Sequence, residues 1–246
     1  MGLKLEGHVA IVTGGAKGIG LGIAKRLTEE GCPIIVWDKD LTPLSSGKAG
    51  LAPALTQTVD VTDLASVERA FSEALQRFPK ISILVNNAGI NGPTVPTWEY
   101  TLEDWQRVLS IDLTGVFHCS RTVVPHMREQ RYGRIVMTAS IVSEKGVGNA
   151  CAYSAAKAGV VGFARGLAKE VLDRNITVNC VAPTMTETEL LQQVTPDYIQ
   201  TARAKIPMNR FCTVEEIAAL VAFAASPDCS FTTGAVFDVS GGRQIT

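Results

Sequence analysis

Three side chains in the stretch 140–157 have the types and spacing for proton chemistry: Ser140, Tyr153 and Lys157. Residues four apart on a helix share a face, so a helix over 153–157 sets the Lys157 ammonium beside the Tyr153 phenol or lets it reach past the ring to a shared ligand. A free phenol titrates near ~10, and a close cation lowers such a group by about 1 to 3 units, which brings a phenolate within reach at neutral pH. Ser140 ends the β-rich run Arg134-Ile-Val-Met-Thr-Ala-Ser, and its hydroxyl can hold a substrate oxygen against that of Tyr153. The chemistry open to such a set is proton transfer on an oxygen as an alcohol and a carbonyl interconvert. A Tyr and a Lys at this spacing also occur on surface helices without any chemistry, so the elements around them decide the reading.

Those elements alternate. Val9-Ala-Ile-Val-Thr13 is a short apolar run, followed by Gly14-Gly-Ala-Lys17-Gly18-Ile19-Gly20 and then Ile23, Ala24 and Leu27 at helical spacing, which reads as strand, glycine loop, helix. Glycines let a backbone approach a pyrophosphate, and a helix N-terminus offers it unpaired N–H groups, although a tight turn between strand and helix has the same signature. The next strand, 33–37, ends in Asp38. An acid there binds ribose hydroxyls and repels a 2′-phosphate, which favours NAD over NADP, with Lys17 and Lys39 as cations that soften the choice. Residues 40–53 read as a loop or a short irregular connection, and a third strand closes on Thr58-Val-Asp60-Val61. Asp60 and Val61 are then candidates to flank an adenine, and Asp60 reads equally well as a turn residue.

Leu64, Val67, Phe71, Leu75 and Phe78 form a helical stripe. The strand 81–85 runs into Asn86-Asn87-Ala88-Gly89, where small residues admit a ligand and the asparagines can tie neighbouring strands. Trp98 stands in a loop at a pocket edge or packs inward. Thr101 and Asp104 cap a helix that continues through Val108, Leu113, Phe117 and Ser120 towards 128–133. After the catalytic stretch come a helix to Val171, a strand over 176–182, a polar excursion over 184–210 placed like a lid, a helix over 214–225 and a last strand over 235–239. No repeat or linker interrupts the alternation of β and α, so the expectation is one domain over 1–246: a Rossmann-like, doubly wound parallel sheet with helices on both faces.

Composition narrows the partners. At 246 residues, with 19% charged and 46% hydrophobic residues and a net charge of −1, the chain has neither the profile of disorder nor the electrostatic footprint of a nucleic-acid binder. Small molecules are the expected partners. The N-terminus lacks an apolar signal core, Glu6 stands where a myristoylation pattern needs Ser or Thr, and no apolar run reaches membrane-spanning length. The six cysteines are scattered without a CxxC pair, which fits reduced thiols and a cytoplasmic setting, and no metal site is expected.

With these residues together, the chain resembles the short-chain dehydrogenase/reductase family over nearly its whole length. Thr13-Gly14-x3-Gly18-x-Gly20 resembles the family's coenzyme loop, Asn86-Asn87-Ala88-Gly89 its adenine-side sheet motif, and Ser140, Tyr153 and Lys157 its catalytic group. The resemblance implies that Tyr153 is the acid/base, that Lys157 depresses its pKa and holds the nicotinamide ribose, and that Ser140 orients the substrate oxygen. It implies NAD along Gly14, Lys17, Gly18, Ile19, Gly20, Asp38, Asp60, Val61, Asn87, Ala88, Gly89, Tyr153, Lys157, Pro183, Thr186 and Thr188, with Thr188 on the carboxamide. Two positions depart from the family pattern. Asp112-Leu-Thr-Gly115 stands for the usual Asn-Leu-Thr-Gly, making Asp112 the fourth catalytic position, and Thr184 stands for the Gly that commonly follows Pro183.

The runs 92–100, 205–211 and 231–242 further resemble members that oxidise 2-keto-3-deoxy-L-sugar acids, such as the fuconate or rhamnonate derivative, at C4. Glu144, Lys145 and Asn149, between the serine and the tyrosine, are candidates to touch the sugar hydroxyls or carboxylate beside Ser140, Tyr153 and Trp98, and read equally well as a solvated loop; the family resemblance implies a homotetramer. The alternatives are a 3-oxoacyl-acyl-carrier-protein reductase, docking its carrier on Arg128 and Arg131, and a nucleotide-sensing protein without catalysis.

Overall fold

The computed structural model describes residues 5–47, 49–187 and 196–245. Their strands are β1 (Ala10–Thr13), β2 (Ile34–Asp38), β3 (Leu55–Thr58), β4 (Ile83–Asn86), β5 (Gly133–Thr138), β6 (Ile176–Pro183) and β7 (Val236–Val239). They form one sheet in the order β3-β2-β1-β4-β5-β6-β7, and every pairing is parallel. Parallel neighbours need crossovers, which the helices supply: α1 (Gly18–Glu29), α2 (Thr42–Ser45), α3 (Leu64–Arg77), α4 (Leu102–Leu109), α5 (Gly115–Gln130), α6 (Val142–Lys145), α7 (Cys151–Glu170), α8 (Pro196–Ala204) and α9 (Val214–Ala224). The expected doubly wound architecture is the one observed.

Side chains alternate across the sheet and both faces are apolar, as a sheet covered on two sides requires. Ile11, Leu84 and Ile135 face a core shared with Phe71 of α3, Val123 and Met127 of α5, and Val160 and Ala164 of α7. Val12, Val85 and Val136 face the other core, with Ile23 and Leu27 of α1 and Ile217 and Val221 of α9. Each such aliphatic side chain, fully buried, contributes about 1.5–3 kcal/mol of transfer free energy. The helices α1 and α9 meet through Gly22, where a Cβ would lie 2.0 Å from Val214 Cγ1. Thr213 starts α9 with a capping box to Glu216, whose carboxyl is also held by Arg210.

Three local expectations are corrected. The third strand stops at Thr58 rather than Val61, because the Asp60 carboxylate accepts from the Thr62 N–H at 3.0 Å and the Thr62 hydroxyl at 2.7 Å and turns the chain there. Residues 42–45, expected as loop, make the single turn of α2. The long helix capped by Thr101 and Asp104 is present, but α4 and α5 are joined by a π-helical turn over Ser110–Thr114.

Candidate active site

Because all strands are parallel, their C-terminal ends share one edge of the sheet, and the chain reverses its winding between β1 and β4. Ligand crevices of open α/β sheets form at that switch point. Asn87 stitches it closed from below: its N–H and that of Ala88 donate to Thr13 Oγ1 at 2.9 and 3.0 Å, and its Nδ2 donates to the Thr13 and Gly14 carbonyls at 3.1 and 3.2 Å. The expected strand tie is therefore real. It needs glycine on the facing loop, since a Cβ on Gly14 would lie 2.9 Å from Ala88 Cα and one on Gly20 would lie 2.0 Å from the Gly14 carbonyl oxygen.

The same loop fits a dinucleotide. Gly18 has φ +54° and open space where a Cβ would stand, and Lys17, at the start of α1, makes no side-chain cap to the helix, so the first N–H groups of α1 lack that partner. The Asp38 carboxylate closes the loop's far side, accepting from the Ala16 N–H at 3.0 Å and the Asp40 N–H at 3.1 Å. Asp60 is drawn into its own turn and into an ion pair with Lys39 at 2.9 Å. The Thr62 hydroxyl and Lys39 hold its acidity at about 2. Val61 is buried against Gly115, and its carbonyl accepts from His118 Nδ1 at 2.9 Å.

The stretch 140–157 meets this crevice from β5 and α7. Ser140 follows the end of β5 by two residues and is buried. Its bonds are long, to the Pro183 carbonyl at 3.5 Å and from the Val142 N–H at 3.4 Å, so its hydroxyl can exchange them for a substrate oxygen at little cost. Tyr153 sits half-buried in the first turn of α7. Lys157, one turn on, is 4% exposed; its Nζ lies 5.6 Å from the Tyr153 ring centroid and passes the ring to donate to the Thr138 carbonyl at 2.9 Å. The ammonium thus extends past the ring to a main-chain carbonyl.

Asp112 is the unusual member. The π turn aims its fully buried side chain at Lys157, with Oδ2 3.4 Å from Nζ, while Oδ1 accepts from the Ile90 N–H at 2.8 Å. Burial pushes the carboxyl's pKa up, and Lys157 and the Ile90 N–H partly offset it. Gly89 lies at the junction: a Cβ there would stand 3.0 Å from Asp112 Oδ2 and 3.3 Å from Lys157 Nζ. A strand end, a π turn and a helix thus bring Gly89, Asp112 and Lys157 to one point, and π turns recur at functional sites.

The expected substrate contacts are not gathered there. Glu144, Lys145 and Asn149 are exposed. Asn149, at φ +64°, uses its carbonyl to accept from the Val95 N–H at 2.9 Å, and Trp98 is 85% exposed on a 3-10 turn. Thr186 is buried, its hydroxyl donating to the Thr184 carbonyl at 3.0 Å, and Thr188 lies outside the described residues. Of the predicted lid, 184–187 and 196–210 are described; Ile206 and Phe211 pack with Ala202 of α8 in a small cluster of their own. Thr184 fits a regular path, its N–H donating to the Val239 carbonyl at 3.3 Å.

Two contributions escaped the sequence reading. The Thr138 carbonyl is a main-chain group and leaves no sequence signal. The C-terminal turn Arg243–Ile245 carries one: a cation directly after the Gly-Gly that follows the last strand. Arg243 donates to Thr184 Oγ1 at 3.2 Å, and Gln244 donates to the Glu144 carboxylate.

Comparison with known proteins agrees with this geometry. A family model, adh_short_C2, described as Enoyl-(Acyl carrier protein) reductase, matches residues 14–244. The chain is 44% identical over 240 residues to a 2-dehydro-3-deoxy-L-rhamnonate dehydrogenase (NAD(+)) of a Sphingomonas species, covering 98% of this chain and 96% of that one. It is 36% identical over 247 residues to a 3-oxoacyl-acyl-carrier-protein reductase of Thermotoga maritima, covering 99% and 100%. Among solved structures, levodione reductase superposes with a TM-score of 0.92 at 36% identity, covering 98% of this chain and 99% of that one.

Proposed function

This chain belongs to the short-chain dehydrogenase/reductase family, and on that premise we propose that it oxidises, with NAD, the C4 hydroxyl of a 2-keto-3-deoxy-L-sugar acid of the rhamnonate or fuconate type. The observation that carries the reading is the meeting of two half-sites: Ser140, Tyr153 and Lys157 at the ends of β5 and α7, beside a glycine loop closed by Asp38. The 44% identity to a dehydrogenase named for such an acid and for NAD(+) supports the substrate class.

NAD bound along Gly14–Gly20, Asp38 and Asn87–Gly89 supplies the hydride acceptor. The work of the chain's own residues is proton handling. Ser140 donates a hydrogen bond to the substrate oxygen, and the Tyr153 oxygen takes its proton. Lys157, held by the Thr138 carbonyl and Asp112, places a positive charge near the ring on which negative charge develops. In the same reading residues 1–246 form one catalytic domain, 184–210 covers the substrate, and the protein is a cytoplasmic homotetramer; the exposed Phe117 on α5 and Phe231 before β7 supply apolar surface for subunit contacts.

The test is a coenzyme and substrate screen on purified protein: NAD against NADP, with 2-keto-3-deoxy-L-rhamnonate, 2-keto-3-deoxy-L-fuconate and an acetoacetyl thioester. NAD-coupled oxidation of a sugar acid is expected. Tyr153→Phe should lower kcat by about 10²–10⁴ while NADH still binds, the range for loss of a general acid/base. Reduction of the thioester with NADPH, without oxidation of either sugar acid, would replace this reading by the acyl reductase. Activity retained in Tyr153→Phe would remove its proton role.

A further inference from the structure

An anion stands against the cation on which the proton chemistry depends. Lys157 brings a positive charge towards Tyr153, yet the Asp112 carboxylate faces the same ammonium, with Oδ2 3.4 Å from Nζ. Lys157 is 4% and Asp112 0% exposed, so water screens neither charge and both fields reach the ring. The carboxylate is locked in that aim. Its residue sits in the π turn over Ser110–Thr114, Oδ1 accepts from the Ile90 N–H at 2.8 Å, and Oδ2 is sealed from solvent without a close hydrogen bond. The ammonium is the group that Oδ2 answers to.

On its other side Lys157 donates to the Thr138 carbonyl at 2.9 Å, with Nζ 5.6 Å from the Tyr153 ring centroid. Carbonyl, carboxylate and phenol therefore share one cation. An ammonium paired with a carboxylate acts on a third group as a dipole rather than as a full charge, and its pull on the negative charge that develops on Tyr153 is weaker for it. The titratable groups facing the pair leave this balance in place. Cys180 of β6 is pushed by burial up to about 12, against Arg165 and Lys157, and stays neutral. Tyr100, in the apolar cluster with Tyr153, is pushed up by burial. On α7 itself, the Cys151 sulfur accepts from the Thr97 hydroxyl at 3.0 Å; on α5, His118 Nδ1 is turned to the Val61 carbonyl at 2.9 Å.

We propose that Asp112 is a positioning residue that tempers the Lys157 charge and thereby sets the pH at which Tyr153 begins to take the substrate's proton. With Asp112 ionised, alcohol oxidation switches on at a higher pH than it would beside Lys157 alone, and the base that does the work is the stronger one. Burial raises the Asp112 carboxyl, so the tempering sets in as that proton leaves. This inference rests on Tyr153 acting as the base in the reading above, and the experiment separates the two.

The profile of kcat/KM against pH for NAD-coupled oxidation of 2-keto-3-deoxy-L-rhamnonate is measured in the wild type, Asp112→Asn and Asp112→Ser, the last a smaller neutral side chain that serves if the first does not fold. A close charge moves a neighbouring group by about 1–3 units, and Asp112 acts across Lys157, so the neutral variants should show the acid limb about 1 unit lower. Their rate near neutral pH should rise while the alkaline plateau falls, and the profiles cross. In parallel, phenolate absorbance is titrated without substrate in each protein and in its Tyr153→Phe counterpart. The difference reports Tyr153, and its midpoint should fall by about the same 1 unit.

A rate lost in equal proportion at every pH, a limb shifted upwards, or a phenol midpoint that does not move would reduce Asp112 to a structural partner of Lys157 and overturn the proposal. A phenol midpoint that falls in a protein oxidising neither sugar acid would keep the charge coupling and refute the substrate reading instead.

Discussion

Lys157→Met isolates what the buried pair does for the fold. Lys157 is 4% and Asp112 0% exposed, so the substitution leaves a carboxylate in the interior with only the Ile90 N–H at 2.8 Å to hold it. Removing one member of a buried pair costs about 3–5 kcal/mol, most of it for the charge left behind. Lys157→Met with Asp112→Asn keeps an acceptor for the Ile90 N–H and leaves no buried charge, so it should recover most of the loss. With a urea m-value of about 3 kcal/mol per M, the single variant should unfold about 1 M or more earlier than the wild type, and the double variant within about 0.5 M of it.

The pH dependence has a definite sign. Burial raises the folded-state pKa of Asp112 above its ordinary value, so in that window the folded protein binds the proton more tightly, and stability falls as pH rises through it. Without Lys157 the folded value moves further up. The deficit of Lys157→Met is then largest near neutral pH and shrinks on acidification. Urea unfolding followed by tryptophan fluorescence at fixed protein concentration, near pH 5 and near pH 7.5, measures both effects. A double variant as unstable as the single one, or a deficit that grows in acid, would show that the two groups do not compensate each other.

The crevice gives two further outcomes. Gly20→Ala forces a methyl to within 2.0 Å of the Gly14 carbonyl and 2.5 Å of Asn87 Nδ2, and should destabilise the protein by about 1–3 kcal/mol, as overpacking does. Gly18→Ala meets no atom but must hold φ +54°, a cost of about 1 kcal/mol or somewhat more. Thermal melts and NADH titrations should rank Gly20→Ala as the larger stability loss and show both weakening coenzyme; equal melting points would contradict the packing argument. Asp38→Ser removes the acceptor held by the Ala16 and Asp40 N–H groups and the charge that repels a 2′-phosphate. The NADP-to-NAD ratio of kcat/KM should rise about tenfold or more, the equivalent of about 1.4 kcal/mol, and an unchanged ratio would make Asp38 only a loop lock.

The parts that could be read from the sequence are those with a short period. Apolar runs bounded by glycine and aspartate gave the strands, and stripes such as Val67, Phe71 and Leu75 gave the helices, because burial on both faces of a parallel sheet leaves this simple pattern. Asp60 shows where the pattern misleads. Val59 and Val61 are buried and β-branched, so the strand reads through them, yet a carboxylate that captures the Thr62 N–H and hydroxyl stops it. A local side-chain bond outcompeted the ladder.

Asp112 shows the opposite case, an anomaly visible before its cause. It lies four residues from both Val108 and Val116, which are buried, so the stripe itself placed a carboxylate on an apolar face. What resolves the conflict is remote in sequence: an ammonium on α7 and an N–H after β4. Arg243 is of the same kind, a cation at the end of the chain whose partner Thr184 lies beyond another strand. Asp112 and Thr184 are the two positions at which the resemblance leads one to expect an amide and a glycine instead. Each new polar group meets a cation, Lys157 in one case and Arg243 in the other. Changes in the pH profile of activity should therefore follow substitution of Asp112, which lies 3.4 Å from the Lys157 ammonium.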